Sequence, residues 1–390
     1  MASKLRKAFW LLVIIAGVNA FIVLSGHSYL YRTVLYQSAG IDDLHIFPYS
    51  TVRASRQPQP WPRSEDYNRK ELTPALRQVL EDYDSTAFLV LHEGKIRQEV
   101  YWDNYSKLRN SNSFSAAKSI VGILIGVALD EGRIKSLDQP VADFLPSFDT
   151  PEKRPIRVGD VLRMASGLDF EENYKSAISD TAKAYYGKDL PGLIAELKVE
   201  VAPGTQYRYK SGDTQILGMI LEKATGRSLA EYASEKLWQP LGAVHDAQWS
   251  LDQAGGVEKA YCCFYSNAHD FARVGYLYLH GGVFKGQRIV SADYVRQAVT
   301  PHALPGPDGQ PTDYYGYQWW ILQHKGQQVF YARGIHGQYV FAIPGLDMVV
   351  VRLGHERSEV IRNNHPEDVY SILGGVFAMY TDEGIQVAAQ

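Results

Sequence analysis

The sequence predicts an α+β fold, in which an antiparallel sheet flanked by helices is interrupted by an inserted, mostly helical domain and preceded by an N-terminal transmembrane anchor. Three observations carry this. Apolar, β-branched runs lie toward both ends of the chain, helix-period patterns with stop signals fill the middle, and an apolar run follows a basic flank at the very start. The composition permits such a fold: 390 residues with 45% apolar and 21% charged side chains are far from a disordered chain and suit one large domain or two intertwined ones. The formal charge of -3, from 40 Lys and Arg against 43 Asp and Glu, argues against a nucleic-acid partner.

Taken in order, Lys4, Arg6 and Lys7 precede the apolar run Ala8–Leu24, broken only by Asn19. Residues 1–30 therefore read as an uncleaved single-span anchor, with the basic flank in the cytoplasm and the bulk of the chain facing the periplasm from the inner membrane. Val18-Asn19-Ala20 leaves open a cleaved secretory signal and a secreted product. His27 stands where a lipidated cysteine would be, so a lipid anchor is not expected. Residues 31–75, with Pro48, Pro58, Pro60 and Pro62 among polar residues and no sustained period, read as an extended linker. The main domain is expected over 76–390, its sheet part from about 76–118 and 325–390 and its helical insertion from about 119–324.

Within that domain, Ala87–Trp102 forms two apolar runs around Glu93-Gly94, a hairpin. Apolar positions from Ile120 to Ala128 recur at helical spacing after Ser115 and stop at Gly132. Asp213–Ala224 ends at Gly226, Ser228-Leu229-Ala230-Glu231 is a capping box, and another helix follows Ala268. Gln328–Arg333, Gln338–Ile343 and Met348–Leu353 are strands, and Pro366-Glu367-Asp368 opens a terminal helix.

Three stretches offer chemistry. Ser115 and Lys118 are three apart on a helix, so a hydroxyl and an amine project from one face, and burial can make the lysine a base toward the serine. One such Ser-x-x-Lys match is expected roughly by chance in a chain this long; the alternative is an ordinary first turn with a solvated lysine. What singles this one out is the polar loop Asn110-Ser111-Asn112-Ser113 entering a very hydrophobic helix. Second, Tyr209 precedes Ser211 on a loop ahead of a helix, where a phenol can share a proton with the serine; among 26 tyrosines, packing is the competing explanation. Third, Gly334-Ile335-His336-Gly337-Gln338 reads as an inner strand whose glycines let a substrate approach a backbone N–H, with a β-bulge beside a core histidine as the alternative.

In this order the three stretches resemble the serine β-lactamase and penicillin-binding superfamily, particularly its class C-like esterase and amidase branch, and the likeness runs from about Ala87 to Leu353. Ile156–Leu168, Pro203-Gly204, Pro240-Leu241-Gly242, Ser266–Gly275 and Tyr315-Gly316 with Trp319-Trp320 look like further landmarks of that family. The resemblance implies a β-lactamase/transpeptidase-like fold and an acyl-enzyme mechanism without cofactor or metal. Ser115 would be the nucleophile, Lys118 its activating partner, and Tyr209 the general base and acid. Ser211 would orient Lys118 and the substrate. Gln338 would join the Ser115 N–H in the oxyanion hole, with Gly337 and Ile335 as the other candidates in that register.

One departure shifts the expected substrate. Relatives acting on β-lactams or D-Ala-D-Ala peptides carry a Lys-Thr-Gly triplet whose cation holds a carboxylate, whereas this chain has Ile335-His336-Gly337. A neutral His336 replaces that cation poorly unless Arg333 reaches the cleft. The pattern looks more like the 6-aminohexanoate-dimer hydrolases and family VIII-type carboxylesterases, which implies small ester or linear amide substrates. A D-Ala-D-Ala carboxypeptidase or β-lactamase and a non-catalytic envelope binding protein are the rival readings. Cys262 and Cys263 are expected as reduced, buried thiols near the cleft, His269 and Asp270 as packing and ion-pairing residues, and Tyr185, Tyr186, Tyr314, Trp319 and Trp320 as packing aromatics that would otherwise wall a pocket. Oligomeric state is left open.

Overall fold

The computed structural model describes residues 2–380, so residues 381–390 of the expected main domain lie outside it. Its first helix, α1 (Ala2–Leu24), is long and apolar enough to cross a membrane: its most apolar 18-residue stretch has a mean hydropathy of 2.2, and 0% of that stretch is buried. A short helix α2 (Leu30–Tyr36) follows, and α3 (Pro74–Asp82) opens on Thr73, whose hydroxyl accepts the Leu76 N–H.

A six-stranded antiparallel sheet organises the rest. It is built from β2 (Ser85–His92) and β3 (Lys95–Tyr101) near the start, and from β7 (Trp320–His324), β8 (Gln327–Gly334), β9 (Gln338–Ile343) and β10 (Met348–Gly354) near the end. The order is β3-β2-β10-β9-β8-β7, so Val349 pairs with Leu91 and Val351 with Leu89 at the seam between the two ends of the chain. Glu93 and Gly94 both take positive φ, 51° and 70°, as a two-residue hairpin turn matching the strand twist requires.

Side chains alternate across this sheet and feed two cores. Leu89, Leu91, Val340, Val349 and Val351 face α7 (Ala268–Leu279), where a Cβ at Gly275 would lie 2.9 Å from Val349. Phe88, Val90, Phe341 and Val350 face the other way, toward α3 and the terminal helix α8 (Glu367–Tyr380). Helix α4 (Ala117–Asp130) is buried from Ala117 through Ala128, which accounts for its apolar residues on every side. After the short helix α5 (Leu190–Glu196), Gly226, at φ 70°, closes α6 (Ser211–Thr225), and Ser228 and Glu231 form the capping box.

Two expectations are corrected. Residues 31–75 are not an extended linker. They contain α2 and a strand β1 (Tyr49–Val52) that heads a second antiparallel sheet, ordered β1-β5-β6-β4 with β4 at Ser111–Asn112, β5 at Ala247–Ser250 and β6 at Phe264–Ser266. Isolated apolar anchors, Ile41, Phe47, Val52 and Trp61, are buried and hold an otherwise polar strap, and the Trp61 indole donates to the His269 carbonyl at 2.9 Å. The stretch 119–324 is mostly helical, with β5 and β6 inside it, but its expected boundary near 325 moves back, because β7 (Trp320–His324) belongs to the main sheet.

Candidate active site

The second sheet delivers the nucleophile loop. β4 pairs with β6, the Ser113 N–H donates to the Phe264 carbonyl at 2.8 Å, and the Asn112 side chain accepts the Phe114 N–H at 2.9 Å. Phe114 is thereby held at a positive φ of 45°, a strained backbone position directly before Ser115. A single tight turn, Phe114–Ala116, in which the Ala116 N–H donates to the Ser113 carbonyl at 3.1 Å, then runs into α4, so Ser115 sits at the helix entrance.

One turn on, the Lys118 side chain is 1% exposed and has three acceptors: Ser115 Oγ at 2.9 Å, Ser211 Oγ at 3.1 Å and the Tyr261 carbonyl at 2.9 Å. Burial disfavours the ammonium, while the Glu172 carboxylate favours it, and the net result pushes the amine down to about 8. Such a group has an accessible neutral form whose lone pair can take a proton from Ser115.

Tyr209 lies beside this pair, its ring centroid 5.1 Å from Lys118 Nζ, 5.5 Å from the Trp320 ring and 6.0 Å from that of Tyr315, with Ser115 among the groups that act on its phenol. Burial, and after it Glu172, hold this phenol above its usual range, against the opposing effects of the Ser115 bond and Arg333. The resting Tyr209 is therefore a proton donor rather than a ready base.

Ser211 begins α6, and here the sequence reading missed a residue. Both oxygens of Glu172 engage Ser211, accepting its N–H at 2.6 Å and its hydroxyl at 2.8 Å, and the Tyr174 hydroxyl donates to the same carboxylate. A carboxylate thus caps the N-terminus of α6 and fixes the serine hydroxyl so that its lone pairs face Lys118. The partners lie 39 residues apart, and no local pattern around Glu172 marks it.

The glycine-flanked segment is corrected in kind. Ile335, His336 and Gly337 form a turn between β8 and β9 rather than a strand, with His336 at φ 60°. Its glycines serve the protein's own close approaches. A Cβ at Gly334 would lie 2.2 Å from the Ser113 carbonyl, and one at Gly337 would lie 1.9 Å from Arg352 Nη1. Ile335 and His336 line the cavity, but the Gln338 side chain is buried and donates to Gly354 at 2.6 Å, away from it. His336 Nε2 donates to the Ala39 carbonyl at 2.9 Å, and burial depresses its basicity, so the triplet's first position is the apolar Ile335 and the imidazole beside it carries no charge to replace the cation. Arg333 does not replace that cation: it lies 3.1 Å over the Trp320 ring and donates to the Asn364 carbonyl.

Ser115 opens onto a cavity of about 360 Å³ whose walls include Tyr174, Tyr185, Tyr186 and Cys262 and, from the N-terminal strap, Thr33 and Ala39. Tyr314 and Trp320 pack instead around Tyr207 and Tyr209, and Trp319 stacks on Tyr278. Cys262 and Cys263 are not free thiols but a disulfide, S–S 1.99 Å. Cys263 takes a φ of 64° after a turn in which the Cys262 N–H donates to the Lys259 carbonyl, and this turns two neighbouring side chains toward each other. His269 pairs with Glu99 at 2.7 Å and Asp270 with Arg273 at 2.7 Å, as expected of packing and ion-pairing residues.

Comparison with known proteins supports the fold and places the chain in a family. A family model described as Beta-lactamase matches residues 75–365. A 6-aminohexanoate-dimer hydrolase of Paenarthrobacter ureafaciens is 31% identical over 303 residues, covering 72% of this chain and 75% of that one. Among solved structures, a chain from Bacillus anthracis described as a candidate 6-aminohexanoate-dimer hydrolase superposes with a TM-score of 0.72 at 23% identity, over 86% of this chain and 90% of that one. A family VIII carboxylesterase superposes with a TM-score of 0.61 at 18% identity, over 79% and 98% of the two chains.

Proposed function

Because the chain belongs to the beta-lactamase family of serine hydrolases, we propose that it hydrolyses small ester or linear amide bonds through an acyl-enzyme on Ser115. The observation that carries this is the buried Lys118 amine 2.9 Å from Ser115 Oγ with its remaining contacts satisfied by protein acceptors. Neutral Lys118 takes the hydroxyl proton as Oγ attacks the carbonyl carbon. The oxyanion is held by the Ser115 N–H together with an N–H from residues 335–338, where the turn enters β9. Tyr209 gives its proton to the departing oxygen or nitrogen and is resupplied from Lys118. Water then enters, and the same groups run the steps in reverse to release the acid.

The absence of a cation at His336 favours substrates without a carboxylate beside the scissile bond, and the name of the Paenarthrobacter ureafaciens relative supports a linear amide as one such class. The apolar α1 behind a basic flank supports an inner-membrane anchor with the hydrolase facing the periplasm.

The test is intact-mass analysis after separate exposure to p-nitrophenyl butyrate, a fluorophosphonate and penicillin, beside the Ser115→Ala variant. Ester turnover and phosphonylation that vanish in the variant, with little penicillin adduct, are expected. A dominant penicillin adduct would move the chain to β-lactam or peptidoglycan substrates, and silence from all three would leave a binding protein. Lys118→Ala and Tyr209→Phe should each cost about 100-fold or more in rate.

A further inference from the structure

A second cavity, of about 330 Å³, lies where the apolar helix ends. Gly26 and Ser28, just past α1, form part of its wall, and Tyr29, Arg32, Lys183 and Lys188 form much of the rest. Two buried polar atoms of its lining residues have no partner in the protein: the hydroxyl of Tyr29, a residue only 4% exposed, and Nη1 of Arg32. The cations are undercompensated. Lys183 meets Glu196 only at 3.4 Å, Lys188 makes no ion pair among the described residues, and the lining carboxylate, Asp189, is engaged by the Gly192 N–H at 2.8 Å. A buried guanidinium N–H and a buried hydroxyl beside two lysines suit a phosphate, whose oxygens accept from all of them.

The position says where that phosphate comes from. The Tyr31 hydroxyl donates to Asn19 Oδ1 at 2.6 Å, which folds α2 back beside the last turns of α1. Asn19 lies five residues before Leu24, so this contact falls about 7 Å below the end of the helix. On α2, Val34 and Leu35 are 76% and 70% exposed, an apolar pair left in water unless a bilayer interface covers it. With α1 spanning the hydrocarbon, the cavity opens at the level of the lipid headgroups. We infer that this cavity binds the phosphate of an anionic phospholipid headgroup in the leaflet where α1 emerges; the inference rests on the anchor reading of α1. The occupied site would set the hydrolase on the membrane: Tyr186 lines both this cavity and the one at Ser115.

The experiment uses the full chain in nanodiscs of mixed phosphatidylcholine and phosphatidylglycerol, with native mass spectrometry reading which lipid stays bound. Phosphatidylglycerol should be retained about tenfold over phosphatidylcholine, and Arg32→Gln and Lys188→Gln should each lower that preference about fivefold. Lys285→Gln should leave it unchanged, and turnover of soluble p-nitrophenyl butyrate should be unchanged in all three. Equal retention of the two lipids, a preference indifferent to Arg32 and Lys188, or complete displacement by inorganic phosphate overturns the proposal. A chain that enters no bilayer, even of phosphatidylcholine alone, overturns it together with the anchor. An intact preference in a chain that leaves the butyrate uncut sustains the headgroup site and sinks only the hydrolase reading.

Discussion

At the scale of single residues, the proposed chemistry turns on how far burial lowers the proton affinity of one amine. With Lys118 at about 8, only about one amine in ten is neutral at pH 7. The sign follows: acylation needs the free amine, so kcat/KM should rise with pH and level off above about 8, read from a pH–rate profile on a soluble ester. Glu172 favours the ammonium, so Glu172→Gln should move that limb to lower pH, a shift that loss of packing alone would not produce. Ser115 and Lys118 were legible in the sequence because helical spacing places them together, and Tyr209 with Ser211 because two residues of loop hold both. Glu172 was not, since only the folded chain brings its stretch to the start of α6. Nor was the pairing of Cys262 with Cys263, which depends on one residue taking a positive φ.

At the scale of elements, the strand-edge turn and the nucleophile loop touch backbone to backbone. Gly334 has an ordinary negative φ, so its role is proximity rather than conformational freedom: any side chain there collides with the Ser113 carbonyl. Gly334→Ala should therefore cost about 1–3 kcal/mol in urea unfolding and displace Ser115 enough to lower fluorophosphonate labelling. Wild-type stability and labelling rate in that variant would sink the argument. The hairpin at Glu93-Gly94, the capping box at Ser228 and the stop at Gly226 were readable because each obeys a short-range rule. Residues 335–337 were misread as strand because Gly334 and Gly337 answer to Ser113 and Arg352, both remote in sequence.

At the scale of the whole molecule, the main sheet is stitched from the two ends of the chain, and this was visible in where the β-branched runs fall. The strap over residues 31–75 was invisible because its buried residues follow no period. Trp61 packs on Tyr276 and Phe284 with Arg273 over its ring. Trp61→Ala should cost about 3–5 kcal/mol in chemical denaturation, the value for a core aromatic, where a linker residue would cost almost nothing.

The same strap decides where this enzyme can be cut. The family match begins at residue 75, yet a fragment starting there loses β1 and leaves β5 from Ala247 to Ser250 as a bare edge, a ready template for intermolecular pairing. It also loses Thr33 and Ala39 from the cavity wall, and with Ala39 the acceptor that fixes His336. Expression trimmed to the recognisable family boundary should thus yield aggregates or an altered substrate range, while a soluble form ought to begin ahead of α2.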